Sequence, residues 1–158
     1  MSSILKVDTI QNTGGTTGLT IDSSGRVLHP VIPFGQASTG VSAVTGGNKL
    51  TLDSNIISGG GLTVDTTNER MIVPVAGLYR IGYSHLTDNL TTTVGVEMRK
   101  NGTRIDGSRT QVKGQTYVGL TVHMLASLAV NDYIEWWVDT GTVHNNSIYN
   151  NMYVYLIG

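Results

Sequence analysis

The sequence predicts an all-β fold, and three observations carry that expectation. Twenty glycines accompany many Thr, Ser and Asn residues against only three prolines, the composition of a chain with many tight turns. Apolar residues alternate with period two: Val118, Leu120, Val122, Met124 and Ala126 share one side of a strand, and Ile134, Trp136 and Val138 oppose Tyr133, Glu135, Trp137 and Asp139 in another. No stretch sustains the 3.6-residue period of an amphipathic helix.

Taken in order, residues 1–33 follow a different grammar from the rest. Ile4, Leu5, Val7 and Ile10 precede the turn-rich Asn12-Thr13-Gly14-Gly15-Thr16-Thr17-Gly18, and Leu19-Thr20-Ile21 leads into the turn Asp22-Ser23-Ser24-Gly25. Two short apolar strands bury too little to fold alone. This arm is therefore expected to attach to a partner surface through Ile4, Leu5, Val7 and Ile10, the alternative being a flexible tail. His29-Pro30-Val31-Ile32-Pro33 forms a semi-rigid connector, because each proline fixes its own φ and holds the preceding residue extended. From Phe34 onward, strands are expected near 34–37, 49–53, 61–65, 70–74, 77–84, 92–100, 103–106, 116–125, 132–139 and 148–157. The chain thus divides into an arm and connector, 1–33, and a head, 34–158. Within the head, Pro74 marks a strand start, Gly77 a bend, and Asn101-Gly102 a hairpin turn. Gly59-Gly60-Gly61 reads as a hairpin tip.

The chain has 158 residues, 13% of them charged, a net charge of −1 and no cysteine. That is room for one globular domain and a short appendage. Nothing resembles a nucleic-acid footprint, disulfides and thiolate metal sites are excluded, and no apolar run reaches the ~20 residues of a membrane helix. Met1-Ser2-Ser3 begins no leader, so synthesis in a cytoplasm is expected. His29, His85, His123 and His144 lack metal-ligand spacing. His85 and Asp88 would hold a cation only if Asp106 or Asp139 converged on them, and the dense carboxylate cluster that calcium prefers is missing. Neither metal nor cofactor is expected. With no nucleophile elbow and no local carboxylate pair, the chain is not expected to be an enzyme.

Three features point to binding. Trp136 and Trp137 leave opposite sides of one strand, so one packs in a core and the other faces a subunit contact or a sugar. In the closing strand Ile148, Asn150, Met152, Val154 and Leu156 face one way, while Tyr149, Asn151, Tyr153, Tyr155 and Ile157 face the other. A monomer would expose that tyrosine stripe, so Tyr149, Tyr153, Tyr155 and Ile157 are the expected subunit interface. Loops 86–92, 106–116 and 140–147 are rich in Thr, Asn, Asp or Gly, mixed donors and acceptors suited to glycan hydroxyls, with Asp88, Arg109, His144 and Asn145 as candidate ligand-binding residues, the alternative being solvated turns.

Several of these segments together resemble a known pattern. The V-P-x-x-G-x-Y run Val73–Tyr79, the turn Lys100-Asn101-Gly102, the strand Leu120–Leu125, Asp132-Tyr133-Ile134 and the aromatic closing strand resemble the globular head of complement's first component and the tumour-necrosis-factor-like jelly roll. The resemblance implies a jelly-roll sandwich, a homotrimer with the last strand near the threefold axis, and a binding module. Those heads carry Gly where this chain has Asn131, which tolerates a left-handed turn nearly as well. The arm, with Ile4-Leu5-Lys6-Val7-Asp8-Thr9-Ile10-Gln11 and Gly18-Leu19-Thr20-Ile21-Asp22-Ser23-Ser24-Gly25-Arg26-Val27, resembles N-terminal segments of structural proteins from tailed bacteriophages, particularly those of marine and cyanobacterial hosts. That implies a virion protein assembled in the host cytoplasm, bound to other virion proteins through its arm. Two roles stay open: a short fibre or tail-fibre knob whose head meets a host-surface glycan, and a capsid decoration or cement protein. A glycan depolymerase would need a carboxylate pair that the sequence does not offer.

Overall fold

A computed structural model describes residues 7–15, 17–28, 32–40, 43–88, 92–113, 117–144 and 146–158. The chain divides into two compact units, Met1–Ile32 and Pro33–Gly158.

The first unit is an antiparallel meander of β1 (Thr9–Gln11), β2 (Thr17–Ile21) and β3 (Val27–Leu28). Side-chain chemistry sets its second turn. The Asp22 carboxylate accepts the Ser24 and Arg26 amides, both at 2.9 Å, and pairs with the Arg26 guanidinium at 2.7 Å. These bonds, the Arg26 amide first, hold the Asp22 carboxyl below its usual value. Gly25 takes the left-handed conformation (φ 77°) that closes the turn. None of the unit's described residues is buried, and Ile10, Val27 and Leu28 stand exposed. A third strand therefore joins the two expected from sequence without giving the unit a core.

The second unit is a two-sheet antiparallel sandwich. One sheet has the order β14 (Gly119–Leu128), β10 (Gly77–Leu86), β17 (Asn151–Leu156), β4 (Phe34–Ser38), β7 (Ser54–Gly59). The other runs β12 (Thr103–Arg104), β11 (Thr93–Lys100), β15 (Tyr133–Thr140), β9 (Arg70–Ile72), β8 (Thr63–Asp65), with β13 (Thr110–Lys113) beside β11 and β6 (Asn48–Lys49) beside β15. A small ladder of β16 (Thr142–Val143) and β5 (Val44–Thr45) sits at one rim. Most of the long strands alternate between the two sheets along the chain, which is the traffic of a jelly roll. Period-two alternation then fills the space between: Tyr79, Ile81 and Tyr83 of β10 and Met152 and Val154 of β17 share one buried cluster with Val96 and Met98 of β11 and Ile134, Trp136 and Val138 of β15. The polar tips of the large aromatics are satisfied. Trp136 donates across to the Gly82 carbonyl at 3.1 Å, Tyr83 to Val96 at 2.7 Å and Tyr79 to Val75 at 2.8 Å. The turns after β11 and β14 rest on left-handed Asn101 (φ 51°) and Asn131 (φ 67°), as their sequences predict.

Four expectations need correction. The triple glycine is no hairpin tip: Gly60 and Gly61, both at positive φ, carry the chain from β7 in one sheet to β8 in the other. The strand expected at 49–53 shortens to β6, and the ladder strand lies instead at β7, where a register shift and left-handed Asn55 leave both Ile56 and Ile57 exposed and so erase alternation. The strand expected at 116–125 starts only at Gly119, because Tyr117 is left-handed (φ 55°). The closing strand begins at Asn151 and not at 148. Asn146 accepts the Ile148 amide on its side chain and the Tyr149 amide on its carbonyl, making a turn that takes Ile148 and Tyr149 out of the ladder.

Candidate functional site

The outer face of the five-stranded sheet is built from residues alternate to the core. One register row runs Leu125, Arg80, Tyr155, Phe34; the next runs His123, Gly82, Tyr153, Gln36, Ile57. Gly82 is a gap in the second row. A Cβ there would meet Tyr153 Oη at 2.6 Å and His123 Nδ1 at 2.7 Å, so its absence lets the Tyr153 hydroxyl and the His123 ring bond across the strand between them. The two rings stack at 5.7 Å, and Tyr153 stacks on Tyr155 at the same separation. Arg80 lies against the Tyr155 and Tyr153 phenols, which hold its pKa above the usual value, while burial pushes the Tyr153 phenol above its usual value against the pull of Arg80. Around this aromatic centre Phe34, Ile57, Leu78, Leu125 and Ile157 are all exposed.

The outer face of the other sheet has the opposite character. Glu97 and Glu135 are almost wholly buried there under cations: Arg99 reaches Glu97 at 2.7 Å, Arg104 reaches it at 3.8 Å, and Lys49 reaches Glu135 at 2.5 Å. The same cations cover Trp137, with Arg99 4.0 Å and Lys49 5.7 Å from its ring centroid. Trp136 is the core tryptophan, and Trp137 is no open platform for a sugar.

A third feature lies at the rim where β10 ends. Buried Asn150 donates to the His144 carbonyl at 2.6 Å and to Thr39 at 3.3 Å, and accepts the Leu86 amide at 3.2 Å. It thereby fixes the segment that carries His144. His144 Nδ1 accepts the Asn146 amide at 3.0 Å, which in the neutral ring places the proton on Nε2. Tyr117 and Tyr149 both meet the His144 ring edge-on, at centroid distances of 5.6 and 5.9 Å. With Leu86 and Asn146 these rings line a cleft of about 520 Å³. Tyr149 also borders a second cleft, of about 330 Å³, lined among others by Gln36, Ser38, Asn55, Ser84 and Asn151.

The residues singled out from sequence separate accordingly. Tyr153 and Tyr155 share the sheet face with Ile157 nearby, whereas Tyr149 belongs to the rim. His144 lies in the rim cleft, and Asp88 lies beside it in the chain's path, its amide bonded to Thr142. Arg109 is taken up by Asp139, Nε to Oδ2 at 3.0 Å. In the first unit Val7 is half-buried and Ile10 exposed. Ile4, Leu5 and Asn145 lie outside the described residues. His85 is not a loop ligand: it is buried in the core, and burial pushes its pKa down to about 3. Among the described residues no three His, Asp or Glu side chains group as a metal would require. Tyr117, which sequence placed on a strand beside Gly119, was missed as a rim residue; its one local signal is the run Gly114-Gln115-Thr116 before it.

No protein-family model matches the chain, and no curated protein matches it. Solved structures do, 249 chains in all. One is the crystal structure of murine APRIL at pH 5.0, at 14% identity and a TM-score of 0.66, covering 80% of this chain and 99% of that one. At such identity the likeness speaks to architecture, and with the strand order above it establishes the fold as a jelly roll of the tumour-necrosis-factor type.

Proposed function

We propose that this chain is a non-enzymatic virion protein of a tailed phage. Its head associates as a homotrimer through the outer face of the five-stranded sheet, and its first unit attaches it to other virion proteins. The observation that carries the reading is the contrast between the two sheet faces: one is aromatic and aliphatic around Tyr153 and Tyr155, the other is covered by ion pairs. Exposed apolar surface of this extent marks an interface. A cysteine-free chain of this size gains stability from association, and the complement-head resemblance implies a last strand near a threefold axis. The phage assignment is supported by the sequence of residues 1–33.

Sedimentation of the isolated protein at micromolar concentration tests the assembly. A trimer is expected, and Tyr153→Asp is expected to dissociate it, because the stacked ring at the centre of the apolar face is lost and a carboxylate must be desolvated at the contact in each copy. A wild-type monomer refutes the reading. Of the two virion roles, the fibre knob with a glycan-binding rim is favoured by the open cleft at the end of the sandwich; a cement protein needs no such cleft. Labelling the protein on intact particles separates them, tail density for the fibre and head-shell density for cement.

A further inference from the structure

We infer that the rim is a binding site for an uncharged saccharide, with Tyr149 dividing a stacking half from a hydrogen-bonding half. This deepens the reading of the head as a recognition module and rests on it. The stacking half presents the Tyr117, His144 and Tyr149 rings in a cleft of about 520 Å³, a volume typical of small-ligand sites. Tyr117 and Tyr149 are each about half exposed, at 53% and 51%, so ring surface is offered to the C–H groups of a sugar. The second half, across Tyr149, is lined by amides and hydroxyls, including Asn151, whose Oδ1 is buried without a hydrogen-bond partner.

Charge narrows the ligand. Among the described residues no Asp, Glu, Lys or Arg lines either half, so a sialylated or sulfated chain would find no counter-charge there, while a neutral hexose would leave no buried charge unpaired. Backbone strain adds an independent argument. Tyr117 holds a left-handed conformation that bulky residues rarely adopt. Its neighbour is clamped to keep it there: the Val118 amide donates to Thr87 Oγ1 at 2.9 Å and the Thr87 amide to the Val118 carbonyl at 2.9 Å. Glycine would fit this position without strain, yet the ring is retained, as expected where placing the side chain matters.

The test uses the full chain on an array of immobilised neutral, sialylated and sulfated glycans, followed by titration with lactose and maltose as soluble neutral probes. Binding within the neutral class is expected. Tyr149→Ala and Tyr117→Gly should each weaken it at least tenfold. Tyr117→Gly is the informative variant, since relief of the left-handed strain should leave its melting temperature unchanged or raised while the stacking surface is lost. The assignment is overturned if no neutral glycan binds, if only charged glycans bind, or if Tyr117→Gly binds as tightly as the wild type. Sedimentation of the same samples keeps the two readings apart: a trimer without glycan binding sinks the rim site alone, and a monomer that binds sinks the assembly alone.

Discussion

Acid should destabilise this head through His85. The side chain points inward from β10, 1% exposed, with neither ring nitrogen partnered and the Tyr83 ring 5.3 Å away. Burial alone pushes its pKa from 6.5 to about 3. The folded state therefore keeps the ring neutral, whereas the unfolded chain takes up a proton as the pH falls through 6.5. Stability linked to this group is complete above pH 6.5 and is lost progressively down to about pH 3. At about 1.36 kcal/mol per pKa unit, the loss reaches ~2 kcal/mol at pH 5 and ~3 kcal/mol at pH 4, a large share of the roughly 5–15 kcal/mol typical of a domain. His85→Leu removes both the proton site and two buried polar atoms, so it should gain about 1–3 kcal/mol at neutral pH. Urea unfolding of wild type and variant at one protein concentration, from pH 7.5 down to about 4.5, measures the difference directly, since carboxylates common to both cancel. The gap between them should widen by about 1.4 kcal/mol per pH unit below 6.5. Parallel profiles would refute the reasoning, because they would mean that the ring is solvated or partnered after all.

Two further outcomes are expected. Gly82→Ala places a Cβ 2.7 Å from the Val122 carbonyl oxygen, a backbone atom of the neighbouring strand that cannot swing aside; a loss of about 1–3 kcal/mol in thermal unfolding and weaker self-association by sedimentation should follow, and an unchanged melting temperature would count against the packing described. Deleting residues 1–32 should leave the head folding cooperatively with its unfolding midpoint intact, since every buried core residue lies in the second unit, while incorporation into particles is lost; a truncated chain that fails to fold contradicts the division into two parts.

The long strands were legible in the sequence because one face of each packs into the sandwich core and the other does not. Trp136 and Trp137, Leu120 to Leu128 and Met152 to Leu156 alternate in and out as the pattern demands. The Asn101 and Asn131 turns were legible from local chemistry. What escaped is the periphery, where ladder geometry gives way to side-chain bonds. β7 lacks alternation because it is a bulged edge strand, and β13 is a four-residue edge piece. Tyr149 left the closing strand because the Asn146 carbonyl takes its amide in a local turn. The rim site was half visible. His144 stood out by loop composition and Tyr149 as part of a stripe to which it does not belong. Tyr117 could not be found, since nothing local to residue 117 shows that it meets residues 144 and 149 in space.

The choice of self-association face follows from what a partner would have to displace. On the seven-stranded sheet it would cover Arg99, Arg104 and Lys49, stripping water from cations already committed to Glu97 and Glu135. The desolvation cost of such a network commonly exceeds any new Coulomb gain. On the five-stranded sheet Arg80 is the one charged side chain among the described outward residues of its strands, and it lies against the Tyr155 and Tyr153 phenols. Covering this face dehydrates one guanidinium where the other sheet would expose three cations to that cost, and it removes Phe34, Ile57, Leu125 and Ile157 from solvent, at roughly 25 cal/mol per Å² of apolar area. A partner offering the same face supplies matching apolar surface and adds one charge per copy, its own Arg80. Reversing the character of that face at its centre, as Tyr153→Asp does, should therefore abolish assembly, whereas Arg104→Ala on the opposite face should leave the sedimentation coefficient of the trimer unchanged. Dissociation by Arg104→Ala would place the interface on the wrong sheet.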